Sequence, residues 1–307
     1  TIKMSPIKIS VVGLSFNGES FLPNFIHSIR NSSLSSLGTE EVEVIIVDNA
    51  SVDGTVRLLQ EKFPEVKVIQ RQTNIGSGAF NEGVSIAVGE YILISDVDMI
   101  FEPHCLENFY NTAKKLDPQV ILGPTLYEYD NHQKLMPCYS VLSRSFFSTF
   151  VLPQHNNLGL KEVFMEGFPF MHRDTARKLK YIFDNDYFLY SEDFDLCLRM
   201  RLQGFKLYNC PTAIMYNRPP SETTLKYLKL KTLIYYMERN YLITFFKICS
   251  FKTLLLYSPY VFVVRVLALL KELATLNVRL FFVRLKAYFW VIPNWKLVWR
   301  KRKETQK

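Results

Sequence analysis

Short apolar runs alternate with helix-like segments along the first hundred residues. β-Branched and other apolar residues dominate residues 7–14, 42–48, 66–71 and 91–96, which reads as four buried strands. Apolar residues at helical spacing occupy residues 19–32, 53–63 and 74–89 between them. This alternation predicts parallel βαβ units and an α/β fold with a doubly wound, mostly parallel sheet.

Polar residues follow several of the predicted strands. The segments "FN", "VDNAS", "RQTN" and "SDVD" all stand at strand ends. Ligands of doubly wound sheets bind beyond the carboxyl ends of the strands, so we expect a binding site there. Residues 118–183 are less regular, with strands around turns. A helix over "SEDFDLCLRMRLQGF" and a strand pair over "FKLYNCPTAIMYN" follow.

The hydrophobic pattern changes after about residue 224. The segment 225–307 is very apolar, yet its longest uncharged run has twelve residues, from Thr253 to Val264. A helix that spans a membrane requires roughly 18 or more consecutive apolar residues. Charges recur every seven residues at Arg265, Glu272, Arg279 and Lys286. This spacing predicts amphipathic helices lying in a membrane interface.

Tryptophans and basic residues at the end of this segment are typical of the lipid headgroup level. The candidates are Trp290, Trp295, Trp299, Arg300, Lys301 and Arg302. The alternative is a helical subdomain that packs on the core. Binding to nucleic acid is disfavoured, because the segment is far too apolar for a solvated arm.

The charge distribution supports the same division of the chain. The net charge is +8, but residues 225–307 contain 17 Lys and Arg against 3 Asp and Glu. The rest of the chain therefore carries a net charge of −6. The five cysteines are scattered, which argues against a disulfide framework or a structural zinc site. We expect a domain over 1–224, a basic membrane-attachment region over 225–307, and a cytoplasmic setting without a secretory signal.

Two carboxylate motifs carry candidate chemistry. "SDVD" places Asp96 and Asp98 at a strand end, where they could share a divalent cation; by itself this motif could also be a capped turn. "SEDFD" places Glu192, Asp193 and Asp195 at a helix start. These residues are either helix-end charges that suit the helix dipole or the position of a general acid or base.

Five ordered motifs together resemble the family 2 glycosyltransferases with the GT-A fold, in particular their rhamnosyltransferase-like branch. The motifs are "SFN", "VDNASVDGT", "NIGSGAFNEG", "SDVD" and "FDNDYFLYSEDFDLCLRMRLQGFKLYNCP". "YYMERN", residues 235–240, resembles the branch's Arg-Asn helix that follows the catalytic motifs. The resemblance covers about residues 7–247.

The resemblance implies a role for each matching residue. The donor nucleotide would be bound by Ser15, Asn17, Asp48, Ser51, Asn74, Gly76 and Asp96. Asp98, with Asp96, would bind Mg²⁺ or Mn²⁺, and Asn217 stands where many relatives carry a histidine near the metal. Asp193 would be the general base, and Glu192, Asp195 and Arg199 would support it.

The implied protein is an inverting, metal-dependent glycosyltransferase at the cytoplasmic face of the membrane. It would move a sugar from a UDP-, GDP- or dTDP-sugar to a lipid-linked saccharide, with the basic region bound to anionic lipid. One alternative is a sugar nucleotidyltransferase, but "LSFNGES" lacks the basic Gly-rich loop that such an enzyme wants. The other is an inactive scaffold that binds lipid or a polyanion.

Overall fold

The computed structural model describes most of the 307 residues. The described residues are 7–32, 41–137, 139–144, 146, 148–151, 164–165, 167–218 and 229–306. The predicted boundary between residues 224 and 225 lies outside them.

Eight strands form the central sheet in the order β3-β2-β1-β4-β10-β6-β11-β5. Its strands are β1 (Ile9–Ser15), β2 (Val42–Asp48), β3 (Lys67–Gln70), β4 (Tyr91–Asp96), β5 (Met99–Phe101), β6 (Val120–Glu128), β10 (Phe170–His172) and β11 (Lys206–Asn217). A second, antiparallel sheet has the order β8-β7-β9 and consists of β7 (Tyr139–Leu142), β8 (Ser148–Val151) and β9 (Phe164–Met165). Strands β1 to β4 pair in parallel, as do β6 and β11, whereas β10 and β5 are antiparallel to their neighbours.

Ten α-helices complete the described architecture. They are α1 (Leu22–Ser32), α2 (Thr55–Lys62), α3 (Phe80–Ile86), α4 (Cys105–Ala113), α5 (Arg173–Lys178), α6 (Glu192–Leu202), α7 (Leu230–Ile248), α8 (Phe251–Ala274), α9 (Val278–Phe289) and α10 (Trp295–Thr305). A short 3₁₀ helix at Gly76–Ala79 leads into α3. The predicted α/β fold and its four N-terminal strands are confirmed. The predicted late strand pair is wrong: β11 is one strand whose register shifts between Asn209 and Ile214.

Apolar side chains cover both faces of the sheet, because successive residues of a strand point to opposite faces. On β1, Val11 packs with Phe25 of α1 and Phe109 of α4 in one buried cluster. Val12 belongs to the other cluster, which continues into α6 and into the C-terminal helices through Tyr241. The second half of the chain therefore shares a core with the first.

Charged contacts also join the C-terminal helices to the sheet domain. Lys247 of α7 forms ion pairs with Asp184 and Asp195, and all three side chains are buried. Lys301 of α10 lies 2.6 Å from Asp184 and is also buried. The Arg302 guanidinium donates to the carbonyl oxygens of Phe246 and Cys249, which end α7. The alternative stated above, a helical subdomain that packs on the core, therefore applies to α7 and α10.

The heptad-spaced charges do not line one membrane-facing surface. Arg265 and Glu272 of α8 are buried: Arg265 faces Glu238 of α7, and Glu272 pairs with Arg284 of α9. Arg279 and Lys286 are exposed. The prediction of a membrane-facing position is wrong for Arg265, and it is also wrong for two other basic residues that turn inward, Lys301 and Arg302. Equal spacing puts residues on one side of a helix, but the neighbouring helices decide which side is buried.

The outer surface of α8 and of the residues after it is strongly apolar. Large exposed side chains include Phe251 (78% exposed), Leu255, Leu256, Phe262 (70% exposed), Leu267, Leu276, Phe282 and Ile292. Trp295, Trp299 and Arg300 are exposed beside them, whereas Trp290 is half-buried with Arg239 over its ring. Within the described part of the chain, α8 is the one helix long and apolar enough to cross a membrane. With 24 residues, α8 is longer than the uncharged run of twelve residues, Thr253 to Val264, on which the sequence argument rested.

Candidate active site

A cleft of about 480 Å³ opens at the carboxyl edge of the parallel strands. Its wall includes Phe16, Phe21, Asn49, Asn74, Gly76, Ser77, Phe80, Asp96, Asp98, Phe168, Phe183, Phe188, Leu189, Tyr190, Glu192 and Asp193. The cleft therefore combines aromatic side chains with a group of carboxylates. Six of the site residues proposed from sequence lie together in it: Asn74, Gly76, Asp96, Asp98, Glu192 and Asp193.

The loops after β1 and β2 hold each other at one end of the cleft. The backbone amide of Asn17 donates to Ser51 Oγ at 2.8 Å, and the side-chain Oδ1 of Asn17 accepts from the backbone amide of Val52 at 2.9 Å. Asn17 has a φ of 52°, a left-handed conformation that asparagine tolerates better than most residues. Neither Asn17 nor Ser51 is part of the described cleft wall. Both residues shape the loops behind it.

Asn49 connects the end of β2 with the Gly-rich turn. Its side-chain amide donates to Asn74 Oδ1 at 2.9 Å and to the Gly76 carbonyl at 3.1 Å, and its Oδ1 accepts from the Ile75 amide. Gly76 has a φ of +68°, and a Cβ added there would lie 1.7 Å from the Phe188 carbonyl oxygen. Glycine at this position is therefore required by both backbone conformation and space.

Ser15 and Asp48 end neighbouring strands in register, and both are fully buried. Asp48 Oδ2 accepts from the Ser51 amide at 3.3 Å, while Asp48 Oδ1 and Ser15 Oγ are buried with no hydrogen-bond partner among the described residues. Burial raises the pKa of Asp48 above its ordinary value, although the hydrogen bonds from Ser51 oppose this shift. Neither residue is part of the described cleft wall.

Asp96 and Asp98 lie on the cleft floor, although only Asp96 belongs to β4. Asp98 stands in the turn before β5, so a shared strand is not what brings the two side chains into the cleft. Asp96 is exposed to the cleft, while the surrounding protein reduces the solvation of its carboxylate. This desolvation raises its pKa, and the negative charges of Asp98 and Asp193 raise it further. Desolvation also raises the pKa of Asp98, against the opposing charge of Arg218.

Glu192 and Asp193 begin α6 and line the same cleft as Asp96, close enough for their charges to act on it. Desolvation raises the pKa of Glu192, and the charges of Asp193 and Asp96 add to the shift. Ser191, the residue before α6, has a left-handed φ of 63°; its carbonyl accepts from the Asp195 amide, but its side chain makes no capping bond. The cleft thus collects four acidic side chains whose mutual repulsion would be relieved by a cation.

The donor set fits a hard divalent cation that is completed by ligand oxygens. Carboxylates are the ligands that Mg²⁺ and Mn²⁺ prefer, and Mg²⁺ is usually bound by one or two of them together with phosphate oxygens and water. No group of three or more His, Cys, Asp or Glu side chains could hold a metal ion within the described ranges. A cation here would therefore depend on a bound phosphate. The proposed ligand Asn217 ends β11 opposite Met99 of β5 and does not belong to the described wall.

Asp195 and Arg199 are residues of α6 that lie outside the described cleft wall, on the buried side of the helix. Arg199 Nε donates to Asp195 Oδ2 at 2.8 Å, and the Arg199 guanidinium also donates to the Tyr181 and Ile182 carbonyl oxygens. Their support for Asp193 is thus indirect, through the position of the helix.

No individual role at the site was predicted for Asn49, Arg218 or residues 188–190. Asn49 stands inside the quoted motif "VDNAS", so its position next to Asp48 was the available signal. Arg218 follows Asn217 directly; its amide donates to the Asp98 carbonyl, and its guanidinium lies over the Phe21 and Tyr129 rings. The segment "FLY" at 188–190 supplies cleft wall immediately before "SED"; it lies inside the quoted motif "FDNDYFLYSEDFDLCLRMRLQGFKLYNCP", which was the available signal.

The profile of the family described as "Glycosyl transferase family 2" matches residues 10–180. An uncharacterized glycosyltransferase of Haemophilus influenzae is 24% identical over 260 residues, which is 75% of each chain. The poly(ribitol-phosphate) beta-glucosyltransferase of Bacillus spizizenii is 32% identical over 122 residues, 38% of this chain and 19% of that protein. A Methanococcus voltae dolichyl N-acetyl-alpha-D-glucosaminyl phosphate 3-beta-D-2,3-diacetamido-2,3-dideoxy-beta-D-glucuronosyltransferase is 23% identical over 67% of this chain and 65% of its own. The chain thus spans only about a fifth of the Bacillus relative.

Solved structures show the same fold. Residues 1–349 of S. aureus TarS, crystallised with UDP, superpose with a TM-score of 0.55 at 16% identity, covering 79% of this chain and 67% of that one. GalNAc-T7 with UDP, GalNAc and Mn²⁺ gives a TM-score of 0.57 at 17% identity, covering 71% and 44%. The α/β fold with a mostly parallel sheet is therefore of the GT-A type.

Proposed function

Because this chain belongs to glycosyl transferase family 2, we propose that it transfers a sugar from a nucleotide-sugar donor to an acceptor hydroxyl group, with inversion at the anomeric carbon. One observation carries the proposal: Asp96, Asp98, Glu192 and Asp193 line a single cleft together with aromatic side chains. The cleft volume, about 480 Å³, lies in the usual range for a small-molecule site.

The nucleotide would occupy the end of the cleft near Asn49, Asn74 and Gly76. The hydrogen bonds among these residues hold the Gly-rich turn in place, and aromatic rings nearby offer stacking surfaces for a base. Asp48 would take part through its buried, unpartnered Oδ1, which could accept a base N–H after a small movement of the loop. UDP and UDP-GlcNAc are the ligands of the TarS crystals, so uridine nucleotides are the first donors to try.

Asp193 would act as the general base. It would take the proton of the acceptor hydroxyl while that oxygen attacks the anomeric carbon and the bond to the nucleoside diphosphate breaks. A positioned base of this kind contributes typically 10²–10⁴-fold in rate. Mg²⁺ or Mn²⁺ held by Asp98 and Asp96 would supply positive charge for the departing diphosphate. The Mn²⁺ in the GalNAc-T7 crystal makes that ion a reasonable first choice.

We further propose that the chain binds the cytoplasmic surface of a membrane through α8 and the residues that follow. Phe251, Leu255 and Phe262 are among many exposed apolar side chains of α8, and large exposed apolar patches mark interaction sites. Arg265 and Glu272 hold one side of α8 against α7 and α9, which favours a helix that dips into the membrane over one that crosses it. The attachment region is then the outer part of 225–307, while α7 and α10 serve the core.

A membrane-bound transferase needs an acceptor that the membrane presents. We therefore propose a lipid-linked saccharide as acceptor. The Methanococcus relative supports this choice because its name describes transfer to a dolichyl-phosphate-linked sugar. Among the described residues, Cys105, Cys210 and Cys249 are buried and form no disulfide, which agrees with a reducing, cytoplasmic setting.

The test is donor turnover by purified protein. UDP-, GDP- and dTDP-sugars would be supplied with Mn²⁺ or Mg²⁺, with and without a membrane lipid extract, and released nucleotide would be measured. We expect release from one donor that depends on the extract and stops when EDTA is added. Asp193→Asn should lower kcat by about 10²–10⁴-fold with donor affinity retained. Asp174→Asn, an exposed aspartate of α5, is the matched control.

Other outcomes would contradict parts of this proposal. Full activity in Asp193→Asn would exclude Asp193 as the base, and activity in EDTA would exclude the metal. Binding to lipid vesicles without turnover of any donor would favour the scaffold alternative. Formation of a nucleotide sugar from a sugar phosphate and a nucleoside triphosphate would favour the nucleotidyltransferase.

A further inference from the structure

The segment 186–191 builds one wall of the cleft and leads directly into the helix of the proposed base. Phe188, Leu189 and Tyr190 line the cleft, and Asp193 follows two residues after the segment ends. Any change in the path of this segment would therefore move both the wall and the base.

This segment has an unfavourable backbone conformation. Phe188, Tyr190 and Ser191 have φ values of 66°, 63° and 63°, in the left-handed region that residues with a side chain seldom adopt. Bulky aromatic residues are especially uncommon there. Such conformations persist only where the surroundings determine them, and they concentrate at functional sites. The contacts that impose the conformation must therefore come from outside the segment.

Two neighbouring residues of α7 make those contacts. Asn240 is fully buried, and its Nδ2 group lies 3.2 Å from the Tyr187 carbonyl oxygen, 2.9 Å from that of Leu189 and 2.6 Å from that of Tyr190. Arg239 Nη2 donates to the carbonyl oxygens of Asp186, at 2.7 Å, and Tyr187, at 2.8 Å.

The two residues of α7 also fix each other. The Arg239 guanidinium donates to Asn240 Oδ1 at 3.0 Å and 2.8 Å, which directs the Asn240 amide group toward the segment. The carbonyl of Phe188 accepts from the backbone amide of Ser77, in the Gly-rich turn, at 2.9 Å. The backbone of 186–190 is thus hydrogen-bonded both by α7 and by the Gly-rich turn.

The Arg239 guanidinium is itself held by aromatic rings. It lies 5.7 Å from the Tyr235 ring centroid, 4.8 Å from that of Tyr236 and 5.1 Å from that of Trp290. The Phe188 ring in turn packs on Tyr236 at 5.3 Å. Trp290 follows α9, so the contacts to the cleft wall extend to the helices that carry the exposed apolar surface.

We infer that Asn240 and Arg239 are positioning residues that impose the cleft-forming conformation of 186–191 and so place Asp193. The kinetic part of this inference rests on the proposed function; the conformational part does not. It changes the division of the chain, since α7 then belongs to the catalytic unit rather than to a separate attachment region. Nothing in this assignment requires Asn240 or Arg239 to touch donor or acceptor.

The first variant is Asn240→Ala, with Asn108→Ala as control. Asn108 Nδ2 also donates to a backbone carbonyl, that of Thr212 at 2.7 Å, but it lies on α4 away from the cleft wall. We expect amide hydrogen exchange of the 186–191 segment to become at least about 10-fold faster in Asn240→Ala and to stay unchanged in the control. Displacement of a reacting group by about 1 Å can cost 10²-fold. We therefore expect kcat to fall by about that factor, with a smaller change in the donor KM.

A second variant separates positioning from a general loss of stability. Ser191→Gly removes the cost of a left-handed serine, and the Ser191 side chain makes no cap bond that would be lost. In the Asn240→Ala background this glycine should slow segment exchange again and recover part of the lost kcat. A merely structural role for Asn240 would not produce such a rescue. If Asn240→Ala does not fold, Arg239→Lys with and without Ser191→Gly makes the same comparison.

The outcomes are distinguishable. Unchanged exchange of 186–191 in the folded variant, or lower stability with unchanged kcat, would overturn the inference. If the wild-type protein turns over no donor, the proposed function fails, and the exchange experiment with its glycine rescue still decides whether α7 holds the segment.

Discussion

A lysine from α7 neutralises two buried carboxylates beneath the proposed base. Lys247 Nζ lies 3.0 Å from Asp184 Oδ2 and 2.6 Å from Asp195 Oδ1, and at most 2% of each of these side chains is exposed. Each carboxylate has a second cation, Lys301 at 2.6 Å for Asp184 and Arg199 at 2.8 Å for Asp195. Lys247→Met keeps most of the side-chain volume and removes only the shared charge.

The expected cost follows from that arrangement. Breaking a buried ion pair by removing one partner costs about 3–5 kcal/mol, because an uncompensated charge stays buried. Both carboxylates keep one cation in Lys247→Met, so we expect a cost at the lower end of this range. The unfolding free energy should fall by about 3 kcal/mol.

The effect should depend on pH. Burial alone would raise the pKa of Asp184, but Lys247 and Lys301 hold it well below its ordinary value. A carboxylate with a lowered pKa contributes stability above its unfolded pKa of about 3.9, and this contribution is lost as the pH falls below that value. Loss of Lys247 raises the pKa of Asp184 in the folded state. The difference between wild type and variant should therefore be largest at neutral pH and should narrow in acid.

Urea unfolding at pH 7 and at a series of lower pH values measures both effects. Lys134→Met is the matched control, because Lys134 pairs with Glu128 at 2.7 Å on the exposed surface, where ion pairs contribute little. If Lys247→Met and the control unfold at the same urea concentration at pH 7, the buried cluster does not stabilise the fold as we argue. A difference in unfolding free energy between wild type and Lys247→Met that grows as the pH falls would refute the pH argument.

Three further predictions concern the cleft and the apolar surface. Gly76→Ala should weaken UDP binding by at least about 10-fold in calorimetric titration, since its Cβ would collide with the Phe188 carbonyl. Asn49→Ala removes the hydrogen bonds that hold the Gly-rich turn, so it should lower the affinity for UDP by about 10-fold. An unchanged affinity would show that Asn49 does not hold the turn for nucleotide binding. Phe262→Glu should lower partition onto anionic vesicles in sedimentation by about 10-fold or more, because burial of a phenylalanine contributes about 1.5–3 kcal/mol. Leu202→Glu, an exposed site on α6, should bind vesicles like wild type, and equal partition of both variants would exclude α8 as the contact.

The amino-acid sequence by itself determined the four N-terminal parallel strands and the edge where the site lies. The apolar runs of β1, β2 and β4 are bounded by polar residues, and parallel strands bring their carboxyl ends to one edge. That placed Asp96 and Asp98 in the cleft, where Asp96 ends β4 and Asp98 lies in the turn that follows. Local patterns suffice here because each strand follows from its own residues.

Only the tertiary structure decided what the C-terminal helices do. Seven-residue spacing groups Arg265 with Glu272 on one side of α8, but Glu238 and Arg284 on other helices turn that side inward. Likewise, Asn240 contacts carbonyl groups some 50 residues earlier in the chain, and Lys247 meets Asp184 across 63 residues. The spacing of residues along the sequence shows which of them share a face of a helix. Whether that face is buried depends on residues of other helices, which only the packed structure brings into contact.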